Sequence, residues 1–194
     1  MKNAIGILLF LLPFVVKSAT VEWNIDLNVG IFHPTDTILQ RYFNRSNVCT
    51  YGVNCSVVNI RNNLGAFFKF QRFSFDVSDT LGDEHVRGNW FTFGLEKVIP
   101  ISLVFLYGRL GVTLHYDSYD LFLNNIRLGF QPGLGIRLSV TRRIKPFFEI
   151  DYEYTRLSIP TYVNMIPTRH QEYLAGKDFQ AGGILVNAGI SFTL

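Results

Sequence analysis

The chain has 194 residues, of which 48% are hydrophobic and 17% are charged, and it carries a formal net charge of +3. This composition excludes an intrinsically disordered chain, which would hold fewer hydrophobic residues and more charge, and so small a net charge does not favour a nucleic-acid partner. Two cysteines are too few for a disulfide-dense scaffold or the usual four-ligand zinc site, and the length suits a single domain.

The N-terminal segment has the features of a bacterial secretory signal peptide. Lys2 supplies a positive start, and an apolar run follows over residues 4–16. A helix needs about 20 apolar residues to cross a bilayer, so a membrane anchor is the less favoured alternative. Cleavage after Ser18 keeps a lysine out of the positions that signal peptidase inspects. We therefore predict a signal peptide over 1–18 and one mature domain over 19–194.

Strict alternation of apolar and polar residues begins directly after this segment. Every second residue from Val21 to Ile31 is apolar, and the residues between them are polar as far as Asn28. This period of two is typical of a β-strand with one apolar and one polar face. The pattern recurs along the chain and predicts eight strands, over 21–31, 64–70, 73–77, 91–95, 104–114, 126–140, 148–154 and 184–194.

The connections between these strands alternate in length. The apolar phase shifts by one residue between Phe70 and Phe73, and such a shift inside one strand would turn every later side chain to the other face. We therefore predict a tight turn at Gln71 and Arg72. Short connections then lie near 71–72, 98–101 and 142–145, and long ones near 33–61, 79–88, 117–124 and 158–180. Short periplasmic turns and long external loops are typical of outer-membrane barrels.

The polar faces of the strands carry charges of both signs, whereas the apolar faces are almost uncharged and too uniform for a surface in water. The charged residues of the polar faces are Glu22, Asp26, Lys69, Asp76, Glu96, Arg109, Arg127, Arg137, Glu149, Asp151 and Glu153. Aromatic residues also fall near the ends of the apolar faces, as in the aromatic girdles of membrane barrels. They are Trp23, Phe70, Phe73, Phe148 and Phe192 at the periplasmic side and Phe91, Tyr116 and Tyr154 at the outer side.

The predicted fold is all-β: an eight-stranded antiparallel up-and-down transmembrane β-barrel with its polar face inside. A soluble barrel with the opposite sidedness, as in lipocalins, is the less favoured alternative. Because eight strands enclose only enough room for side chains, we expect a charge network in the interior. Its predicted members are Arg109, Arg127, Arg137, Glu149, Asp151 and Glu153. A structural plug is favoured over a narrow or gated pore.

The signal peptide, the alternation and the final stretch from Gly189 to Leu194 resemble the small eight-stranded outer-membrane proteins, the group of OmpX, the opacity proteins and the OmpA barrel. The resemblance implies a bacterial outer-membrane location, contact with outer-membrane lipid and lipopolysaccharide, and insertion by the barrel-assembly machinery, which reads the last strand. Those proteins usually end in Phe, whereas this chain ends in Leu194 with Phe192 two residues earlier.

Two cysteines, Cys49 and Cys55, fall in the first predicted long loop. Since the periplasm and the cell surface are oxidising, we predict a disulfide that restrains this loop, with two free thiols as the alternative. His33 is the only histidine in that loop, so no cluster of metal ligands is indicated. No metal and no cofactor are predicted.

A weaker resemblance links Leu128–Ile136 and the last strand to the lipid A deacylases of the PagL-like family. That family places a His and a Ser two residues apart at the outer end of a late strand, with a Glu nearby. Ser158 would match the serine, but Arg156 stands where the histidine should be, and without that base the serine is not activated. His115 and Ser118 form a looser acid–base group, with the acidic residues Asp117 and Asp120; a hydrogen-bonded rim is its simpler interpretation.

These observations favour a non-enzymatic surface protein, monomeric or weakly associating, whose external loops contact host matter, other envelope components or lipopolysaccharide. Function carried by loops on a rigid scaffold is the usual arrangement. The loops over 33–61 and 158–180 lead this prediction, and the second is basic, with Arg169, His170 and Lys177. The alternatives are a lipid A-modifying hydrolase and a narrow channel.

Overall fold

A computed structural model of the chain describes residues 21–35, 47–79, 82–119, 122–158, 178–180 and 182–194. Within these ranges, side chains are described except at 75–79, 82–86, 117–119, 122–126, 156–158 and 178–180. The predicted signal peptide lies outside the described residues. No helix within the described residues has the length and apolarity needed to cross a bilayer.

The described residues form strands that close into a barrel. The strands are β1 (Val21–Pro34), β2 (Val48–Asn59), β3 (Leu64–Asp79), β4 (Gly82–Ile101), β5 (Val104–Tyr119), β6 (Phe122–Leu138), β7 (Ile144–Ser158), β8 (Asp178–Gln180) and β9 (Gly183–Thr193). From β1 to β7 each strand pairs antiparallel with the next, and β9 pairs with both β7 and β1. The three-residue β8 only extends the pairing at the end of β7. The predicted closed eight-stranded antiparallel barrel is therefore confirmed.

One end of the barrel carries short turns, at residues 60–63, 102–103 and 139–143. The strands are longer than predicted at the other end. β3 and β4 are separated there by residues 80–81, and β5 and β6 by residues 120–121. Two of the predicted long loops are therefore shorter than expected because paired strands continue into them.

The predicted turn at Gln71 and Arg72 is wrong, because β3 runs through both residues without a break. Gln71 pairs with Gly52 of β2 on one side and with Trp90 of β4 on the other. The apolar phase shifts here because Phe73 faces the barrel interior, where it is 3% exposed. The assignment of Phe73 to the periplasmic aromatic girdle is corrected for the same reason. Phe70 does not belong to that girdle either, because it pairs in register with Phe91 in the continuous strand.

The first predicted long loop contains a strand that the alternation pattern does not predict. β2 occupies Val48–Asn59 and pairs with β1 along its whole length. Its inward residues are, in order, Val, Thr, Gly, Asn, Ser and Val. The inward face, which is mostly polar in the other strands, therefore contains both polar and apolar residues in β2. The predicted number of barrel strands was right because one real strand had been divided in two and another had been overlooked.

The sidedness of the barrel follows the predicted pattern. Large apolar side chains stand on the outside; Leu134, for example, is 74% exposed. Polar and charged side chains fill the inside, where Asp26 and Glu96 are fully buried. This arrangement is the reverse of a soluble barrel and matches a barrel whose exterior lies in lipid.

Candidate functional site

The middle of the barrel interior is organised around Arg109 on β5. Its Nε donates to Glu96 Oε2 at 2.8 Å, and its Nη2 donates to Asp26 Oδ2 at 3.3 Å. Its Nη1 donates to Glu149 Oε2. One guanidinium therefore joins carboxylates from β1, β4 and β7 across the lumen, and such charge-assisted bonds are the stronger kind of hydrogen bond.

Two further cations complete this group. Lys69 Nζ donates to Glu149 Oε1 at 2.6 Å and also to Asp151. Arg137 Nη2 donates to Asp26 Oδ2 at 3.1 Å and to Glu96 Oε2 at 3.3 Å. Among the described side chains, three cations thus meet four carboxylates in what we name the central charge cluster: Asp26, Lys69, Glu96, Arg109, Arg137, Glu149 and Asp151.

Neutral side chains connect the central charge cluster to the remaining strands. Asn54 of β2 donates to Asp26 Oδ2 at 2.5 Å, and Asn187 of β9 donates to Asp151 Oδ2 at 3.2 Å. Gln71 Nε2 donates to Thr50 Oγ1 and to Asn187 Oδ1, each at 2.8 Å. Every barrel strand therefore contributes to one polar network, which stabilises only when its members are satisfied.

Replacing Gln71 by Ala is expected to lower the free energy of unfolding by about 1–3 kcal/mol, because it leaves the buried Thr50 and Asn187 without this donor. Urea unfolding of the barrel in lipid vesicles measures the change. The matched control is Ser139→Ala, in an exposed turn. If Gln71 lay in a surface turn, both substitutions would have equally small effects.

A second, smaller group lies toward the end of the barrel away from the short turns. Glu153 accepts a hydrogen bond from Thr113 Oγ1 at 3.1 Å, and its Oε1 lies 2.8 Å from His115 Nε2. The ring of Trp90 packs edge-on against His115, with centroids 5.2 Å apart. Phe32 and Phe73 pack in turn on Trp90, at 4.8 and 5.3 Å. We name Phe32, Phe73 and Trp90 the aromatic cap, since it covers the polar interior from this side.

The opposite mouth of the barrel is open to a cavity of about 260 Å³. Lys145 Nζ donates to Glu22 Oε1 at 2.7 Å on its wall and lies 4.8 Å from the ring centroid of Phe105. Arg137 also lines this cavity and links it to the central charge cluster.

The structure brings together four of the six predicted network residues: Arg109, Arg137, Glu149 and Asp151. Glu153 belongs instead to the group around His115. Arg127 is half-buried and is the register partner of His115 on β6.

Asp26, Lys69 and Glu96 were predicted on the polar face but not as members of the network. Their place on the polar face was the available signal, and each is the sixth residue of its strand counted from the end on the short-turn side, so the three lie at one level of the barrel.

Within the described residues, the candidate hydrolase side chains do not form a common site. Ser158 ends β7 opposite Asp178 of β8, and its side chain and that of Arg156 lie outside the described part. The side chains of Asp117 and Ser118, and all of Asp120, Arg169, His170 and Lys177, lie outside it as well. His115 is not on an outer rim, as had been expected, but inside the barrel at 1% exposure.

The predicted disulfide between Cys49 and Cys55 is wrong: both cysteines are free. They lie on the same face of β2, opposite Ile31 and Ile25 of β1. Six residue-to-residue steps of extended strand separate their Cα atoms by about 20 Å, whereas a disulfide requires about 4.4–6.8 Å. Among the described residues, no group of three His, Cys, Asp or Glu side chains is placed to hold a metal ion.

Alkylation of the denatured protein without reductant is expected to modify both thiols, because neither cysteine has a partner within reach. Intact-mass spectrometry counts the added groups, and a reduced sample provides the reference. Modification that appears only after reduction would show that the chain forms a disulfide.

No model of a protein family matches the sequence of this chain, and no curated protein matches it closely enough to be a relative. Solved structures share its fold. Neisserial surface protein A aligns with a TM-score of 0.58 at 11% identity, covering 90% of this chain and 97% of that protein.

Two other solved structures are less similar. Ail, the attachment invasion locus protein of Yersinia pestis, aligns at a TM-score of 0.49 and 11% identity over 91% of this chain and all of Ail. The outer membrane protease OmpT of Escherichia coli aligns at 0.41 and 9% identity, covering 92% and 98% of the two chains. At these identities the likeness concerns the fold alone. This chain has the fold of the small eight-stranded outer-membrane barrels, with an apolar exterior that suits the bilayer of that membrane.

Proposed function

We propose that this chain is a non-enzymatic surface protein of the bacterial outer membrane, a closed barrel that displays its external connections for adhesion or for interaction with the envelope. The observation that carries the proposal is the filled interior. The central charge cluster joins opposite walls of the lumen, and the aromatic cap covers the polar groups on one side. A barrel built in this way is suited to be a scaffold.

The same interior disfavours the channel alternative. An ion that crossed the barrel would have to separate Arg109 from its three carboxylates or Lys69 from its two. Removing one partner from a buried ion pair costs about 3–5 kcal/mol. We therefore expect no steady conductance from the folded protein in planar bilayers.

The hydrolase alternative receives no support from the histidine inside the barrel. His115 lies 2.8 Å from Glu153, an arrangement that can orient a base, but Trp90 covers its ring and it faces the lumen. An acyl chain of a lipid would approach from the outside of the barrel. Lipid A from cells expressing the protein should therefore have the same mass spectrum as lipid A from cells expressing Ser158→Ala.

Two segments between strand ends have the length to carry a binding function, residues 36–46 and 159–177. Both connect strands at the end away from the short turns, which is the external end in barrels of this type. Neisserial surface protein A, whose fold this chain shares, is itself named for a surface location. We assign adhesion or envelope contact to these two segments.

The test compares cells that display the wild type with cells in which residues 38–44, 162–174 or both are replaced by Gly-Ser sequence of equal length. Attachment to host-cell monolayers and to purified lipopolysaccharide is measured. The control replaces Arg142 and Arg143, in a short turn at the other end, by Ser. We expect loss of attachment only in the loop variants, with every variant still heat-modifiable on gels. Attachment equal to that of cells lacking the protein would contradict the proposal.

A further inference from the structure

Among the side chains that the structure describes, the charges on the outside of the barrel have one sign. Every carboxylate whose side chain the structure describes lies inside the barrel or at its open mouth: Glu22, Asp26, Glu96, Glu149, Asp151 and Glu153. The described charged side chains on the exterior and on the short turns are all basic: Arg61, Arg72, Arg87, Lys97, Arg142 and Arg143. Such a surface favours contact with an anionic partner.

Arg72 and Arg87 are separate from the others because they lie toward the external end. Arg72 alternates along β3 with the buried residues Gln71 and Phe73, so it points outward. It pairs in register with Asn89 of β4, and Arg87, two residues before Asn89, pairs with Ser74. Outward residues at such diagonal positions lie about 7–8 Å apart. We name Arg72 and Arg87 the outer basic pair.

Tyrosines flank the outer basic pair at the same level of the barrel. Tyr51 of β2 pairs in register with Arg72, and Tyr116 of β5 pairs with Asn89. Both tyrosines are exposed. Tyrosines at this position are typical of the boundary between hydrocarbon and headgroups. The outer basic pair therefore lies at the level of lipid headgroups.

An aromatic surface extends below the outer basic pair into the membrane. Phe70 and Phe91 pack with ring centroids 5.2 Å apart, and Phe68 and Phe93 lie below them at 4.9 Å. Phe93 is 57% exposed. The outside of β3 and β4 thus offers an apolar surface for acyl chains directly beneath two guanidinium groups.

A bound anion would stabilise the two guanidinium groups of the outer basic pair. Two like charges at neighbouring positions of a sheet repel each other. Arg72 Nε is buried and, in the part of the chain that the structure describes, has no hydrogen-bond partner. A guanidinium fits a phosphate through two parallel hydrogen bonds, and arginine is the usual choice for such contacts.

We propose that the outer basic pair binds the phosphorylated headgroup of an acylated lipid of the outer leaflet, with the acyl chains against Phe68, Phe70, Phe91 and Phe93. This site depends on the outer-membrane location and not on adhesion by the loops. A lipid is the occupant that fits, because the tyrosines set the pair at headgroup level and the phenylalanines continue below it.

The experiment uses the refolded protein in phosphatidylcholine vesicles that contain lipid A, dephosphorylated lipid A or neither. Binding is measured as lipid A retained by the protein after extraction into mild detergent, and heat-modifiability on gels reports the folded barrel in each sample. The variants are Arg72→Gln, Arg87→Gln and the double substitution, with Arg72→Lys/Arg87→Lys as the charge-conserving form. Arg143→Gln, in a short turn, is the matched control.

We expect binding to fall about fivefold for each arginine removed, since a basic residue near an anionic lipid surface contributes about 1 kcal/mol. The Arg72→Lys/Arg87→Lys variant should keep most of the binding of lipid A, and added inorganic phosphate should not compete with lipid A. Dephosphorylated lipid A should bind as weakly to the wild type as lipid A does to the double variant.

Equal binding by the wild type and the folded double variant would overturn the proposal, as would equal binding of the two forms of lipid A. A sample that lacks the heat-modifiable band would instead question the barrel itself, which separates the two failures.

Discussion

Replacing Arg109 by Met is expected to lower the free energy of unfolding by about 3–5 kcal/mol. The substitution keeps most of the side-chain volume and removes the charge that Glu96, Glu149 and Asp26 share. These carboxylates have at most 1% exposed side chains, so water cannot replace the guanidinium at low cost. Arg109 also packs on the rings of Phe67 and Tyr107, at 5.0 and 4.7 Å, contacts that Met retains only in part.

Equilibrium urea unfolding in lipid vesicles, followed by tryptophan fluorescence, measures this loss. Arg143→Met is the control, because Arg143 lies exposed in a short turn, and it should change stability by less than about 0.5 kcal/mol. The double substitution Arg109→Met/Glu149→Gln should recover part of the loss, since it removes one of the uncompensated charges. A loss below about 1 kcal/mol for Arg109→Met would be typical of a surface pair and would contradict the buried cluster.

Replacing Gly94 by Val is expected to cost about 3 kcal/mol or to prevent assembly, because the site has no room for a side chain. Gly94 pairs in register with Gly111, and a Cβ at Gly94 would meet the backbone oxygen of Leu110 and lie 2.6 Å from Gly111 Cα. It would also lie 2.7 Å from the ring of Phe67. The two glycines thus allow Phe67 to lie flat beneath Arg109.

Gly108→Val is the matched control, since Gly108 lies on the lipid-facing side of β5. A Cβ there would contact only Leu134 Cδ2, at the ordinary distance of 3.6 Å. Both variants are refolded into vesicles, and the heat-modifiable fraction and urea midpoint are compared with the wild type. Equal stability of the two variants would mean that the wall between β4 and β5 is looser than described.

The sidedness of the barrel could be predicted from sequence because the alternation of apolar and polar residues and the distribution of charges both identify the same inward face. Along β5, β6, β7 and β9 the inward and outward residues differ in polarity at nearly every position, so each strand was found near its true place. The physical cause is lipid on one side of a wall that is one residue thick, which excludes charge from that side.

The failures in β2 and β3 arise where the interior is not polar. Phe73 faces inward because the aromatic cap is apolar, and this one residue made a continuous strand look like two. In β2 the inward residues Val48 and Val58 are apolar, so the alternation is weak and the strand was not predicted. Cys49 and Cys55 on its outer face were interpreted as cysteines of a loop. Pairing partners decide such cases, and a single sequence does not display them.

The sequence predicts that the interior holds a charge network, but it does not predict which charged residues contact one another. Strand alternation places Lys69, Glu96 and Arg109 inside, but it does not say how far along the axis each lies. The register between neighbouring strands sets that height, and it brought Glu153 to His115 instead of to the central charge cluster.

Tryptophan quenching by brominated lipids tests, within one strand, whether the apolar face of the barrel meets lipid and the polar face is enclosed. In a Trp23→Phe background, Trp90 on the inside is compared with the variant Trp90→Phe/Phe93→Trp, which moves the tryptophan to the outside three residues away. We predict strong quenching at position 93 and little at position 90. Quenching of Trp90 with an unquenched position 93 would contradict this sidedness of the barrel.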